Sequence, residues 1–294
     1  MSYQIEFRHF KYFLAVAEDL HFRKAAERLY ISQPGLSRQI KQMEDDLGII
    51  LFERHNRKVQ LTNAGIYLKN ELTLNLKNIQ HTLNHAKSIH KGDNGSLKMG
   101  YVGSAMQNII PDLLLKFRTK SSNIILNLNE MGNQKQIDEL LSNNLDVGFV
   151  RLERVPRSIA IRPILKESFC LVLPEDHSIN KNNFKDITQL KNESFILFDP
   201  KYSTSYFEKI MQIFDDGGFS PLVTHKTIHA SSIYKLVENG FGISIVPKSL
   251  MSEHQEGIKF IELNKTPHQT TLSVVWNKTN RNPVLNLFLE HIVK

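Results

Sequence analysis

The stretch from His21 to Leu51, HFRKAAERLYISQPGLSRQIKQMEDDLGIIL, constrains this chain more than any other. Ala25, Ala26 and Leu29 form a short apolar face at helical spacing. Leu36, Ile40, Met43 and Leu47 then recur at alternating steps of four and three residues, the period of an amphipathic helix. Tyr30-Ile31-Ser32 breaks the pattern between them. Ser32 stands where an N-cap belongs, Pro34 falls in the first turn where its missing N–H does no harm, and Gly48 closes the second helix. The face away from the apolar stripe carries Pro34, Ser37, Arg38 and Lys41, with Gln33 at its start. Two helices joined by a tight turn, the second showing short polar and cationic side chains, predict a helix-turn-helix whose second helix enters a DNA major groove. A plain helical hairpin with a solvated polar face has the same periodicity, and the flanks separate the two.

Before this stretch, Glu6 to Leu20 reads as a helix with Phe10, Phe13, Leu14 and Ala17 on one face, able to pack beneath the pair. After it, Leu51-Phe52 and Val59 to Leu61 predict two short strands around a basic turn, Arg54-His55-Asn56-Arg57-Lys58. Such a wing reaches phosphates or the narrow minor groove, where Arg54 and Arg57 would be favoured. The fold expected for residues 1–62 is therefore an all-α winged helix-turn-helix domain. Residues 63–91 follow as a long linker helix, in which Leu72, Leu76, Ile79, Leu83 and Ala86 form a narrow seam. One helix cannot bury that seam alone, so a homodimer is expected, and paired DNA half-sites require one. His81 and His85 have an i, i+4 spacing that can hold a metal, but no carboxylate or cysteine joins them, and no metal or other cofactor is expected.

Charge supports this division. Of the formal net charge of +7, most lies in the first 91 residues, which hold 14 Lys and Arg against 9 Asp and Glu. Lys91 to Gly95, KGDNG, is a break of hinge composition. Beyond it strands and helices alternate: SLKMGYVGS ending in a Gly-Ser turn, a helix from Ile109, IILNLNEMG, a helix from Gln134, DVGFVRL, two strands between Ile159 and Pro174, SFILFD, helices at Tyr206 to Phe214 and Ser231 to Asn239, GFGISIVP, IKFIEL, TLSVVW and a closing helix from Asn282. That alternation predicts parallel sheets covered by helices over residues 92–294, in a two-lobed α/β domain. One lobe is expected at about 96–163 and 271–294, the other at about 164–270. Ligands of open α/β sheets bind beyond the C-terminal strand ends. There stand Ser104, Asn133, Arg151, Ser203 and Thr204, hydroxyls, an amide and an arginine that suit a small carboxylate, with His229 just before the next helix.

A metabolic enzyme or solute-binding protein built on the two lobes is the competing reading. It leaves the N-terminal module unexplained, and the sequence contains no GxGxxG, P-loop, GxSxG or metal-ligand cluster. The single cysteine, Cys170, excludes an intramolecular disulfide switch. With no apolar segment long enough to cross a bilayer and no secretory signal pattern, no membrane association and a cytoplasmic location are expected.

From Phe7 to Gly65 the chain reads FRHFKYFLAVAEDLHFRKAAERLYISQPGLSRQIKQMEDDLGIILFERHNRKVQLTNAG, and this run resembles the LysR-type transcriptional regulators. The order of winged helix-turn-helix, linker helix and two-lobed effector domain like a periplasmic binding protein resembles theirs along the whole chain. The segments MGYVGS, NEMG and GFVRL resemble the branch that senses muconate, benzoate or acetate-related metabolites. The resemblance implies double-stranded promoter DNA read by Gln33, Pro34, Ser37 and Arg38, with Arg57 on the wing. It also implies a homotetramer, a small effector whose carboxylate Ser104 helps hold, contact with RNA polymerase, and no enzymatic activity. At Asn133 that branch more often carries threonine.

Overall fold

The computed structural model describes residues 5–55, 58–90, 95–107, 109–119, 124–251 and 256–292. The chain divides into two compact units, Met1–Ala86 and Lys87–Lys294.

In the first unit, α1 (Phe7–Asp19), α2 (Phe22–Arg28) and α3 (Gln33–Leu47) are followed by a hairpin, β1 (Phe52–His55) and β2 (Lys58–Leu61), and by α4 (Asn63–His90). The Ser32 hydroxyl accepts from the Gly35 N–H, and Gly48 takes φ 67° at the end of α3, so both predicted stops of this helix are made. Phe13, Val16, Ala25, Leu36, Ile40, Met43 and Leu51 are buried together. Phe52 packs its ring against Phe13 and Phe22 at centroid distances of 5.4 and 5.7 Å. The apolar stripe read from the sequence is thus the face that locks α3 onto α1 and α2. Gly65 lies where α4 crosses the hairpin: a Cβ there would stand 2.3 Å from the Leu51 carbonyl oxygen. Along α4, Leu72 is buried within the unit, whereas Ile79 and Leu83 are 44% and 52% exposed.

The second unit holds two lobes. The first is a five-stranded sheet in the order β4-β3-β5-β12-β6. Its strands are β3 (Ser96–Tyr101), β4 (Ile125–Glu130), β5 (Val147–Val150), β6 (Ile159–Glu167) and β12 (Thr270–Asn277). It is flanked by α5 (Gly103–Gln107), α6 (Ile109–Arg118), α7 (Asn133–Leu141) and α10 (Pro283–Ile292). The second lobe is built on β7 (Phe169–Pro174), β8 (Ser194–Phe198), β9 (Leu222–Thr227), β10 (Ser244–Pro247) and β11 (Ile258–Glu262), with α8 (Thr204–Asp216) and α9 (Ala230–Glu238). Here β7 lies between β10 and β11, β8 pairs with β9, and a Phe195–Ile243 bridge joins the two groups.

Two expectations are corrected, and one strand is added. The sheets are mixed: β3 is parallel to β4 and β5, but β12 is antiparallel to β5 and β6, and β7 is antiparallel to both its neighbours. Gly103-Ser104 opens the short helix α5 and is no turn. β9, LVTHKT, escaped the sequence reading because its polar alternation mirrors an edge strand that stays half exposed along its length.

Candidate functional site

Two surfaces carry the polar residues picked out from the sequence, one in each unit. On α3, Gln33, Pro34, Arg38 and Lys41 are exposed and Ser37 is half-buried. The Gln33 Nε2 donates to Ser37 Oγ at 2.9 Å, which orders the start of the helix. The cations of α2 are neutralised locally: Arg23 pairs with Glu27, and Arg28 with Glu18 and Asp19. Among the described residues Arg38 and Lys41 have no acidic partner, so their charge is left for an external anion. Two side chains that the sequence did not single out hold this helix in place. His9, buried in α1, accepts from the Glu6 N–H and meets Gln39 Oε1 of α3 at 3.0 Å. Glu44 Oε1 accepts from the backbone N–H groups of Leu51 and Phe52 at 2.7 and 3.0 Å, tying the end of α3 to the start of the wing. Arg54 stands on β1 opposite Val59. Arg57 lies outside the described residues, as do the side chains of Arg54, His81 and His85.

In the second unit the strand ends converge on a cleft of about 380 Å³, counting its open mouth. It is lined by Val102, Gly103, Ser104 and Arg151 from one lobe and by Phe198, Tyr202, Ser203, Tyr206, Ile228, Ala230 and Pro247 from the other. Of the residues expected there, Ser104, Arg151 and Ser203 line it, and the other three do not.

Arg151 is buried, and each of its three side-chain nitrogens already donates to a neighbour. Nε donates to Ser104 Oγ at 2.9 Å, Nη1 to Thr270 Oγ1 at 3.3 Å, and Nη2 to Glu167 Oε1 at 2.5 Å and Ser249 Oγ at 3.2 Å. Burial pulls this guanidinium below its ordinary pKa, and the Glu167 carboxylate works against the shift. The arginine therefore orients Ser104 within an internal ion pair and is not an open cation at a strand end. Asn133 is likewise buried: its Oδ1 accepts from the Arg151 N–H at 2.9 Å, and its Nδ2 donates to the Arg151 carbonyl and to Ser203 Oγ at 3.2 and 3.0 Å. It joins the lobes beneath the cleft. Thr204 turns its hydroxyl to the Pro200 carbonyl. His229 sits half exposed, with Nδ1 3.3 Å from Glu130 Oε1. Glu130, Glu167, Ser249 and Thr270 were missed, because nothing local in the sequence distinguishes them from ordinary loop and strand residues; Tyr202 opens the strand-end segment Tyr202 to Ser205 that the sequence does point to, and it lines the cleft.

No group of three His, Cys, Asp or Glu able to hold a metal occurs among the described residues. Cys170 is buried on β7, and burial, with Glu262 adding, pushes its thiol up to about 12, far from a reactive thiolate.

Residues 7–66 match the bacterial regulatory helix-turn-helix protein family of lysR type, and residues 90–294 match the LysR substrate binding domain. The chain belongs to the LysR family of transcriptional regulators. This LysR-type protein is a DNA-binding regulator with an effector-binding domain, not an enzyme. It is 32% identical to the uncharacterized regulator YnfL of Escherichia coli (strain K12), covering 98% of each chain. It is 31% identical to the regulator CatR of Pseudomonas putida over 99% of each, and 30% identical to AlsR of Bacillus subtilis (strain 168) over 97% of this chain and 94% of that one. Among solved structures it resembles full-length CbnR complexed with its target DNA, with a TM-score of 0.64 and 28% identity over 98% of this chain and 99% of that chain. LysR regulators bind promoter DNA and small-molecule effectors and form oligomers. No helix among the described residues is long and apolar enough to cross a membrane.

Proposed function

We propose that this LysR regulator responds to a small carboxylate held at the Ser104 end of the cleft, and that it passes the signal from residues 92–294 through the linker helix 63–91 to the DNA-reading residues 1–62. The observation that carries this reading is the state of Ser104. Its oxygen already accepts from Arg151, which leaves its own proton to donate to an acceptor in the cleft. The rest of the lining is mostly apolar, with Val102, Phe198, Ile228 and Pro247 suited to a compact hydrocarbon body. The first turn of α9 begins at Ala230 in the lining, and helix N-terminal N–H groups favour an anion. In this reading Arg151 acts through Ser104. Ser203 offers a hydroxyl from the opposite wall, while Asn133, Thr204 and His229 shape the cleft from outside its lining.

On DNA, Gln33, Pro34, Ser37, Arg38 and Lys41 of α3 meet base edges and phosphates, and Arg54 and Arg57 of the wing meet the backbone or minor groove. The exposed Ile79 and Leu83 of α4 form the seam between two copies, and two such dimers make a homotetramer on an interrupted palindrome in the cytoplasm, where it contacts RNA polymerase.

A mobility shift and footprint on the DNA flanking this protein's own gene test the reading, with and without cis,cis-muconate, benzoate and acetate. A footprint that shortens with one compound, and does not shorten in Ser104→Ala at the same basal affinity, supports it. An unchanged response in Ser104→Ala removes this serine from the site.

A further inference from the structure

Tyr30 ends α2 at a position that favours glycine. Its N–H donates to the Glu27 carbonyl at 3.2 Å, and the Ile31 N–H donates to the Ala26 carbonyl at 3.1 Å, the paired bonds of a Schellman stop. That stop requires a left-handed residue, and Tyr30 takes φ 55°. Glycine meets the demand with no Cβ to clash, whereas a bulky side chain there is an outlier. The ring gains no packing in exchange. At 96% it is the most exposed large hydrophobic side chain among the described residues, and none of them supplies its hydroxyl with a hydrogen-bond partner. Leu20, left-handed at the end of α1, is 44% exposed and so keeps part of its side chain covered. A strained backbone that holds an aromatic ring out in water points to a task outside the chain.

The position of Tyr30 says what that task is. Two residues on, Ser32 caps α3, and the exposed Gln33 and Pro34 follow at once. A recognition helix contacts base edges through its N-terminal residues, so the turn just before it comes alongside the sugar-phosphate backbone. A tyrosine hydroxyl is a neutral donor that suits a phosphate oxygen. The nearby charges admit an anion: Glu27, in the turn before Tyr30, is held by Arg23 at 3.1 Å, and Arg38 and Lys41 have no acidic partner among the described residues. We infer that the Tyr30 hydroxyl is a DNA-backbone contact, donating to a phosphate at the edge of the groove that α3 reads and fixing how that helix lies in it. This inference rests on reading α3 as the helix that enters DNA.

Tyr30→Phe in the full chain is the deciding variant. It keeps the backbone and the ring and removes only an exposed hydroxyl, so the fold has no reason to change. Binding is measured by mobility shift on the DNA flanking this protein's own gene and on random DNA of equal length, over a range of salt. Affinity should fall roughly three- to tenfold, the equivalent of one net hydrogen bond. The factor should be the same on both DNAs, because a phosphate carries no sequence. The salt slope should stay that of the parent, because a neutral donor releases no counterion. Tyr30→Gly adds a contrast of sign: relieving the left-handed residue should hold or raise the unfolding midpoint in urea, while DNA affinity falls at least as far as in Tyr30→Phe. A residue that serves only the turn would not give a fold at least as stable with weaker DNA binding.

Affinity of Tyr30→Phe within about twofold of the parent overturns the inference. So does a loss confined to the flanking DNA, which would make the hydroxyl a base contact, and so does altered sedimentation, which would place it between protein copies. Arg38→Ala, run alongside, separates this failure from that of the α3 reading. If Arg38→Ala loses affinity and Tyr30→Phe does not, only the tyrosine contact falls. If both bind like the parent, the reading of α3 falls with it.

Discussion

Replacing Glu167 by glutamine should be among the most damaging isosteric changes available to this protein. The side chains of Arg151 and Glu167 are 3% and 6% exposed and meet at 2.5 Å. Glu167 also accepts from the Ser249 hydroxyl at 2.9 Å and from the Ser249 N–H. Glu167→Gln keeps the volume but leaves a buried guanidinium without its counter-charge, a loss of about 3–5 kcal/mol. Arg151→Met should cost a similar amount by stranding the carboxylate. The double replacement Arg151→Met with Glu167→Met strands no charge. Its cost is the Ser249 N–H left without an acceptor and the Ser104 and Thr270 hydroxyls that must turn, roughly 1–3 kcal/mol. The cycle should therefore be strongly non-additive, with the double variant more stable than either single one. Denaturant unfolding followed by tryptophan fluorescence reads this cleanly, because the chain's single tryptophan, Trp276, lies on β12 in the same unit. A Glu167→Gln cost below about 1 kcal/mol, or a double variant whose cost equals the sum of the singles, would refute the reasoning that this buried pair is a closed electrostatic unit.

Three further outcomes are expected. Arg38→Ala should lose about 1–3 kcal/mol of discrimination between the flanking operator and a base-substituted version, measured by mobility shift, if the guanidinium reads a guanine; equal loss on specific and random DNA would make it a phosphate contact. Glu44→Ala removes the acceptor shared by Leu51 and Phe52, so it should lower operator affinity and the salt slope of binding by loosening the wing, while circular dichroism shows the helices intact. Leu83→Asp places a charge on the exposed seam of α4 and should shift the protein to a smaller species in sedimentation, with unchanged mass ruling the seam out as an interface.

What could be read ahead of the fold depended on range. The helix-turn-helix was legible because its determinants are neighbours: an apolar period, Ser32 at one end of α3 and Gly48 at the other each act within a turn of the helix. β5 and β7 were legible because a strand buried on both faces is an unbroken apolar run, as in VGFV and FCLVLP. The belonging of Ser104, Arg151 and Ser203 to one cleft also followed from sequence order, since strand ends of an α/β sheet converge.

Strand direction did not follow, because β12 takes its place beside β5 and β6 only through pairing across more than a hundred residues. Nor did the state of the arginine. From the sequence alone Arg151 is a positive charge at a strand end. Its partners Glu167, Ser249 and Thr270 lie 16, 98 and 119 residues along the chain, and the fold brings them within 3.3 Å. Asn133 changed meaning for the same reason, becoming a latch under the cleft. Period, caps and turns act locally, so the helices of the first unit and the strands buried on both faces could be read from the residues, while the half-exposed β9 and the short helix α5 could not. Which polar groups at the strand ends remain open to a ligand and which are spent on one another is set by the fold, because a hydrogen bond or ion pair depends on distance in space and not on distance along the chain.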